Sequence, residues 1–171
     1  MSLFDEDDGI PADRVRRAMP AITVALGTLL MALPIPLAWG AMPHLALLLV
    51  IIWSSLQPRL MPPWGAFLLG LFADLVSGLP FGLSALLFPA AAIAVRLADA
   101  RVEGHSLFID WVFTGLLVLA VHVLTWQLLG FTGSAAPLGP LLAQAVITIL
   151  AYPLVATIAA RIQRRIIEPG F

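Results

Sequence analysis

The side chains able to do chemistry are few in this sequence, in which only 11% of 171 residues are charged. Asp74 is the most informative of them. It lies about ten residues into an apolar stretch, Trp64 to Leu79, away from the charged segments on either side. A charged side chain deep in a bilayer costs at least ~2.5–3.5 kcal/mol and therefore faces protein or water. Ala66, Gly70, Asp74 and Gly78 recur every four residues, along one stripe of a helix. Small residues at this spacing let another helix approach closely. Two readings stay open: a polar anchor for a partner helix or ligand, or an aspartate near the outer interface that reaches headgroups or caps Gly78-Leu79-Pro80.

The other polar groups in apolar surroundings are His122, Gln127 and Gln144. A proton relay through His122 needs acidic or basic partners, and the apolar stretches offer only Asp74 and Asp110. The favoured reading is a histidine hydrogen-bonded inside a helix bundle, and Gln144 is read in the same way. The three histidines, His44, His105 and His122, are too widely spread to suggest a metal motif. Asp99, Arg101, Glu103 and His105 crowd one polar segment, read as a solvated turn or a docking surface. The sequence holds no H-E-x-x-H, no G-x-S-x-G and no lysine to serve a phosphate loop. With no cysteine, thiolate catalysis and zinc–sulfur sites are excluded. Neither an enzyme nor a cofactor or metal site is expected.

The elements that must position these residues are membrane helices. The chain is 61% hydrophobic with a mean hydropathy of +1.01, whereas soluble domains carry about 25% charged residues. Hydrocarbon is the solvent that suits such a composition. Six apolar segments are expected, at about 18–38, 43–56, 64–79, 82–98, 107–129 and 138–160. Pro20 suits the first turn of the first helix, and Trp53 suits an interfacial position. Pro89 and Pro153 fall inside their segments. Residues 1–17 and 161–171 are then tails around one compact domain, 18–160, whose loops leave no room for a soluble domain.

Arginine placement tests this threading. All nine basic residues are arginines, at 14, 16, 17, 59, 96, 101, 161, 164 and 165. With six spans every one falls on the same side, and cytoplasmic loops carry the positive charge. Both termini are therefore expected in the cytoplasm. The short segments leave an alternative, in which residues 64–95 form a re-entrant hairpin and the true spans number four; the charge pattern is the same. The first apolar run also imitates a signal peptide, ending in Ala38-Trp39-Gly40. It exceeds the usual 7–15 residues, so an uncleaved span is expected.

The segment from Pro62 to Leu83 resembles the central signature of the MreD family, the bacterial rod shape-determining membrane proteins. Gly70, Leu71, Asp74, Gly78 and Gly82 stand where that family has a G-L-x-x-D-x-x-x-G-x-x-x-G-like pattern after a proline-containing loop. Chain length, span count and short loops match as well. The resemblance implies a non-catalytic scaffold of the cell-elongation machinery in the bacterial inner membrane. Its implied associates are a single-span MreC-like protein and, indirectly, MreB, RodA and its transpeptidase, in lateral peptidoglycan synthesis. It also implies likeness in fold to the substrate-binding components of energy-coupling-factor vitamin transporters. The alternative is accordingly a small-molecule-binding transporter component, with Asp74, His122, Gln127 and Gln144 as its polar groups. The expected interface is Ala66, Gly70, Asp74 and Gly78, with Pro80 and Gly82 shaping the turn that follows.

Overall fold

The computed structural model describes residues 9–33, 42–100, 107–131, 133 and 137–167. Among these it contains six α-helices and no strand: α1 (Gly9–Ala32), α2 (Leu45–Leu56), α3 (Pro63–Ser77), α4 (Leu83–Asp99), α5 (Leu107–Phe131) and α6 (Leu138–Ile162). A π-helical turn, Gln163–Ile167, continues α6. The all-helical, six-helix architecture read from the apolar segments is the one observed.

Burial sorts the helices. α2 is apolar on every side, and Ala46, Leu47, Leu48, Val50, Ile51, Ile52, Trp53 and Ser54 are all buried. A helix hydrophobic all round belongs in the middle of a packed structure, and α2 lies there against α1, α4 and α6. α3 packs on α1 and most extensively on α4, while α5 packs on α6 and α4. The outer faces carry exposed leucines, isoleucines and phenylalanines such as Leu68, Leu75, Leu116 and Leu154. Such a surface is stable against acyl chains rather than water.

Helix lengths divide into two groups. α5 contains a stretch of 24 residues, Phe108–Phe131, and α6 with the start of its π-helical turn one of 28, Leu138–Arg165, each long and apolar enough to cross a bilayer. α2, α3 and α4 have 12, 15 and 17 residues, about 18, 22 and 26 Å at 1.5 Å per residue. Those lengths fall short of a hydrocarbon core about 30 Å thick.

Two expectations are corrected. Pro20 is not in the first turn: α1 starts at Gly9, so Pro20 lies inside the helix and is buried. The helix begins before the apolar run, because helix formation needs no apolar run. Trp53 is not interfacial either. It is fully buried, and its indole N–H donates to Thr23 Oγ1 at 2.9 Å. A buried indole is tolerated where its one donor finds a partner, and α1 supplies it. Pro34, Pro36, Arg101, Glu103 and His105 lie outside the described residues.

One end of the bundle is fixed by Arg96. Its guanidinium donates to the carbonyl of Met61 at 2.8 Å and to that of Pro58. The last turn of α4 is thereby tied to the α2–α3 loop, so Arg59 and Arg96 sit at the same end of the molecule.

Candidate functional site

The α3–α4 hairpin is built from its glycines and one carboxylate. Pro63 opens α3 at a position where a missing N–H costs nothing. Gly78 ends it with φ 65°, a left-handed conformation that L side chains avoid. The chain then turns through Leu79, Pro80 and Phe81, and the Leu83 N–H donates to the Pro80 carbonyl at 3.2 Å. Gly82, with φ 98°, is the N-cap of α4. Being glycine, it offers no side chain to the first amides of the helix, which have no intrahelical acceptor.

Asp74 supplies what Gly82 lacks. Its Oδ1 accepts from the Ser84 N–H at 2.8 Å, and its Oδ2 accepts from Gly82 at 3.0 Å and Ala85 at 3.3 Å. The side chain is only 1% exposed. One carboxylate on α3 thus caps α4 from across the hairpin, satisfying three donors that hydrocarbon could not hydrate. The positive end of the helix dipole favours a carboxylate at that place.

Gly70 explains how Asp74 reaches. A Cβ on Gly70 would lie 2.6 Å from the Ser84 carbonyl carbon and 2.7 Å from the Ala85 nitrogen, both backbone atoms of α4. Only glycine lets the two backbones come so close. One turn later, Asp74 is then within hydrogen-bonding distance of the first turn of α4. Ala66, one turn earlier on the same stripe, is completely buried. The stripe Ala66–Gly70–Asp74 therefore packs within the chain, and the helix it admits is α4. Gly78 and Gly82 are exposed at the turn and Pro80 is half-buried. Phe81, at the tip, is 71% exposed.

Beside the hairpin lies a cavity of about 510 Å³, lined by the end of α1, the N-cap of α2 and parts of α3 to α6. Its polar groups include His44, Ser84, His122, Thr125 and Gln144, among walls such as Leu87 and Phe88. His44 caps α2, its Nδ1 accepting from the Leu47 N–H at 3.3 Å, and its backbone N–H donates to Thr148 Oγ1 at 2.8 Å. His122 Nδ1 is 2.8 Å from the Val118 carbonyl. Since a carbonyl only accepts, the proton is assigned to Nδ1 and leaves Nε2 as an acceptor. That Nε2 is buried without a completed hydrogen bond, although Gln144 is within its electrostatic reach. The His44 and His122 rings stand edge to face with centroids 5.9 Å apart.

The sequence-selected residues thus separate into three places. Ala66, Gly70 and Asp74 form the α3–α4 seam, with Gly78, Pro80 and Gly82 in its turn. His122 and Gln144 share the cavity. Gln127 is exposed on α5 and does not line it. His44 escaped sequence reasoning as a cavity residue, because it is far along the chain from His122 and becomes its neighbour only through packing. Its signal was its place just before an apolar helix, where it acts as cap. Among the described residues no group of three or more histidine or carboxylate side chains could hold a metal.

No curated protein and no solved structure matches the chain. The family model for the rod shape-determining protein MreD matches residues 14–161. That stretch runs from the first turns of α1 to the last turn of α6 and includes the Asp74-capped hairpin. A match over nearly the whole bundle identifies the chain as belonging to the MreD family, a family of shape-determining membrane proteins not known as enzymes.

Proposed function

We propose that the chain is a non-catalytic scaffold of the cell-elongation machinery, threaded through the bacterial inner membrane with both termini in the cytoplasm. In this reading it binds an MreC-like single-span protein, and through it MreB, RodA and its transpeptidase, in support of lateral peptidoglycan synthesis. The observation that carries the reading is the family match over residues 14–161, which brings with it a role in determining rod shape. The arginine distribution supports the orientation.

The α3–α4 hairpin is the proposed partner contact. Gly70 and Asp74 hold it rigid from inside, so its outer face keeps one shape, and a preformed surface binds without an ordering cost. Leu71, Leu75 and Phe81 are exposed along that face and its tip, where a partner helix could lie. Gly78, Pro80 and Gly82 set the angle of the turn. A photoactivatable amino acid at Leu75 or Phe81 is expected to crosslink to the MreC-like partner in membranes, and one at Leu154 on α6 to give no such adduct. Adducts from position 154 alone would refute docking on the hairpin.

A second reading follows from the cavity. An acceptor nitrogen left unpaired at His122, with Gln144, Ser84 and Thr125 around it, suits a small uncharged ligand that donates a hydrogen bond. This would be the behaviour of a transporter's substrate-binding component. Incubating the detergent-solubilised protein with a vitamin panel and reading thermal stability separates the two. Saturable stabilisation by one compound, lost in His122→Phe, would favour the ligand-binding reading over the scaffold.

A further inference from the structure

At the arginine-bearing end of the bundle, α1, the α2–α3 loop and the first turns of α3 enclose an open groove of about 510 Å³. Arg17 on α1 and Arg59 in the loop both line it, and both are exposed. Trp64 lines it as well and is 70% exposed at the start of α3. One turn further along α1 and α3 the lining is apolar: Ala21, Leu68 and Leu69. No carboxylate lines the groove among the described residues.

We infer that this groove is a binding site for one anionic phospholipid, whose phosphate lies between Arg17 and Arg59. The arrangement matches an amphiphile part by part. Guanidinium groups bind phosphate oxygens through paired N–H donors and remain charged in an interface. A guanidinium has five donors, so Arg17 can bind phosphate while keeping a contact within the protein. An exposed tryptophan at a helix end sits at headgroup level, with its ring against the glycerol region. The Ala21, Leu68 and Leu69 walls then receive the upper part of an acyl chain. A basic pocket between membrane helices on the arginine-rich side is the known physical setting for acidic headgroups.

The geometry of the loop favours a fixed site over a diffuse attraction. Arg96 is occupied with the carbonyls of Pro58 and Met61, so it pins the loop on either side of Arg59. Pro62 and Pro63 stiffen the approach to α3. The phosphate therefore meets Arg59 from a loop already held in shape.

The test is native mass spectrometry of the full-length protein in detergent, with an equimolar mixture of phosphatidylglycerol and phosphatidylcholine bearing the same acyl chains. One phosphatidylglycerol should be retained with roughly fivefold or greater preference, about the gain expected from even one engaged arginine. The double variant Arg17→Gln/Arg59→Gln should bind both lipids equally. The control variant Arg164→Gln/Arg165→Gln, which removes the same charge at the π-helical turn, should keep the preference. Inorganic phosphate alone should leave no adduct, which separates a lipid from a free anion. Equal retention of the two lipids by the unaltered protein would overturn the proposal. So would a preference that survives in Arg17→Gln/Arg59→Gln, or one abolished as fully by the control pair.

Discussion

Replacing Asp74 with alanine should damage the fold by an amount that can be worked from its contacts. The substitution removes three accepted hydrogen bonds, from Gly82, Ser84 and Ala85. The bonds from Ser84 and Ala85 are buried. Leaving a buried donor unsatisfied costs about 1–3 kcal/mol, so those two amides give about 2–6 kcal/mol. The Gly82 amide is only partly buried and adds less. Gly82 has no side chain with which to replace the cap, so relief must come from distortion of the first turn of α4. For a chain of this length 1 kcal/mol moves Tm by about 2–4 °C. Asp74→Ala is therefore expected to lower Tm by at least about 4 °C in detergent, read by tryptophan fluorescence. Asp74→Asn keeps one acceptor oxygen and should fall between the two. Amide hydrogen exchange should rise first in peptides covering residues 82–86. A Tm unchanged within error, with those amides still protected, would refute the claim that the carboxylate caps α4.

Other substitutions read the same seam and the core. Gly70→Ala places its Cβ under 3 Å from α4 backbone atoms and should cost about 1–3 kcal/mol by overpacking. Gly65→Ala meets only the Pro62 side chain at 3.5 Å, so the two alanine variants should differ clearly in thermal melts. Gly78→Ala finds open space but must hold φ 65°, at a cost of about 1–2 kcal/mol. It should lower Tm with no change in which surfaces crosslink. Trp53→Phe removes the bond to Thr23 and leaves a small cavity where part of a fully buried indole stood. A loss of at least about 1 kcal/mol is expected, and Thr23→Val should add little on that background.

Much of this was legible in the sequence, and the rest was hidden for physical reasons. The six helices follow from apolar runs separated by proline, glycine and arginine, which local chemistry dictates. The stripe Ala66–Gly70–Asp74 announced a close helix contact, because small residues at four-residue spacing have little other use in lipid. What the spacing could not say is which helix fills that contact. Any helix brought within reach satisfies the same pattern, and the short turn from Gly78 to Gly82 makes α4 the one supplied. Asp74 is a cap, as one of its two open readings had it, but of α4 rather than of the Gly78–Pro80 turn. The His44–His122 pair was invisible, since it depends on α2 lying centrally against α4 and α6. Trp53 misled for the same reason: an apolar segment of twelve residues does not reveal whether lipid or other helices surround it. The early start of α1 was missed because hydropathy marks where a helix meets lipid, not where coiling begins.

The hairpin locked by Gly70 and Asp74 is the proposed carrier of this chain's role in rod shape. It is tested by cell width in a rod-shaped bacterium depleted of its own MreD-family protein and supplied with this chain together with the MreC-like protein proposed as its partner. At matched membrane levels the unaltered chain should restore rods, and Asp74→Ala and Gly70→Leu should leave cells round. Rods restored equally well by either variant would contradict the account.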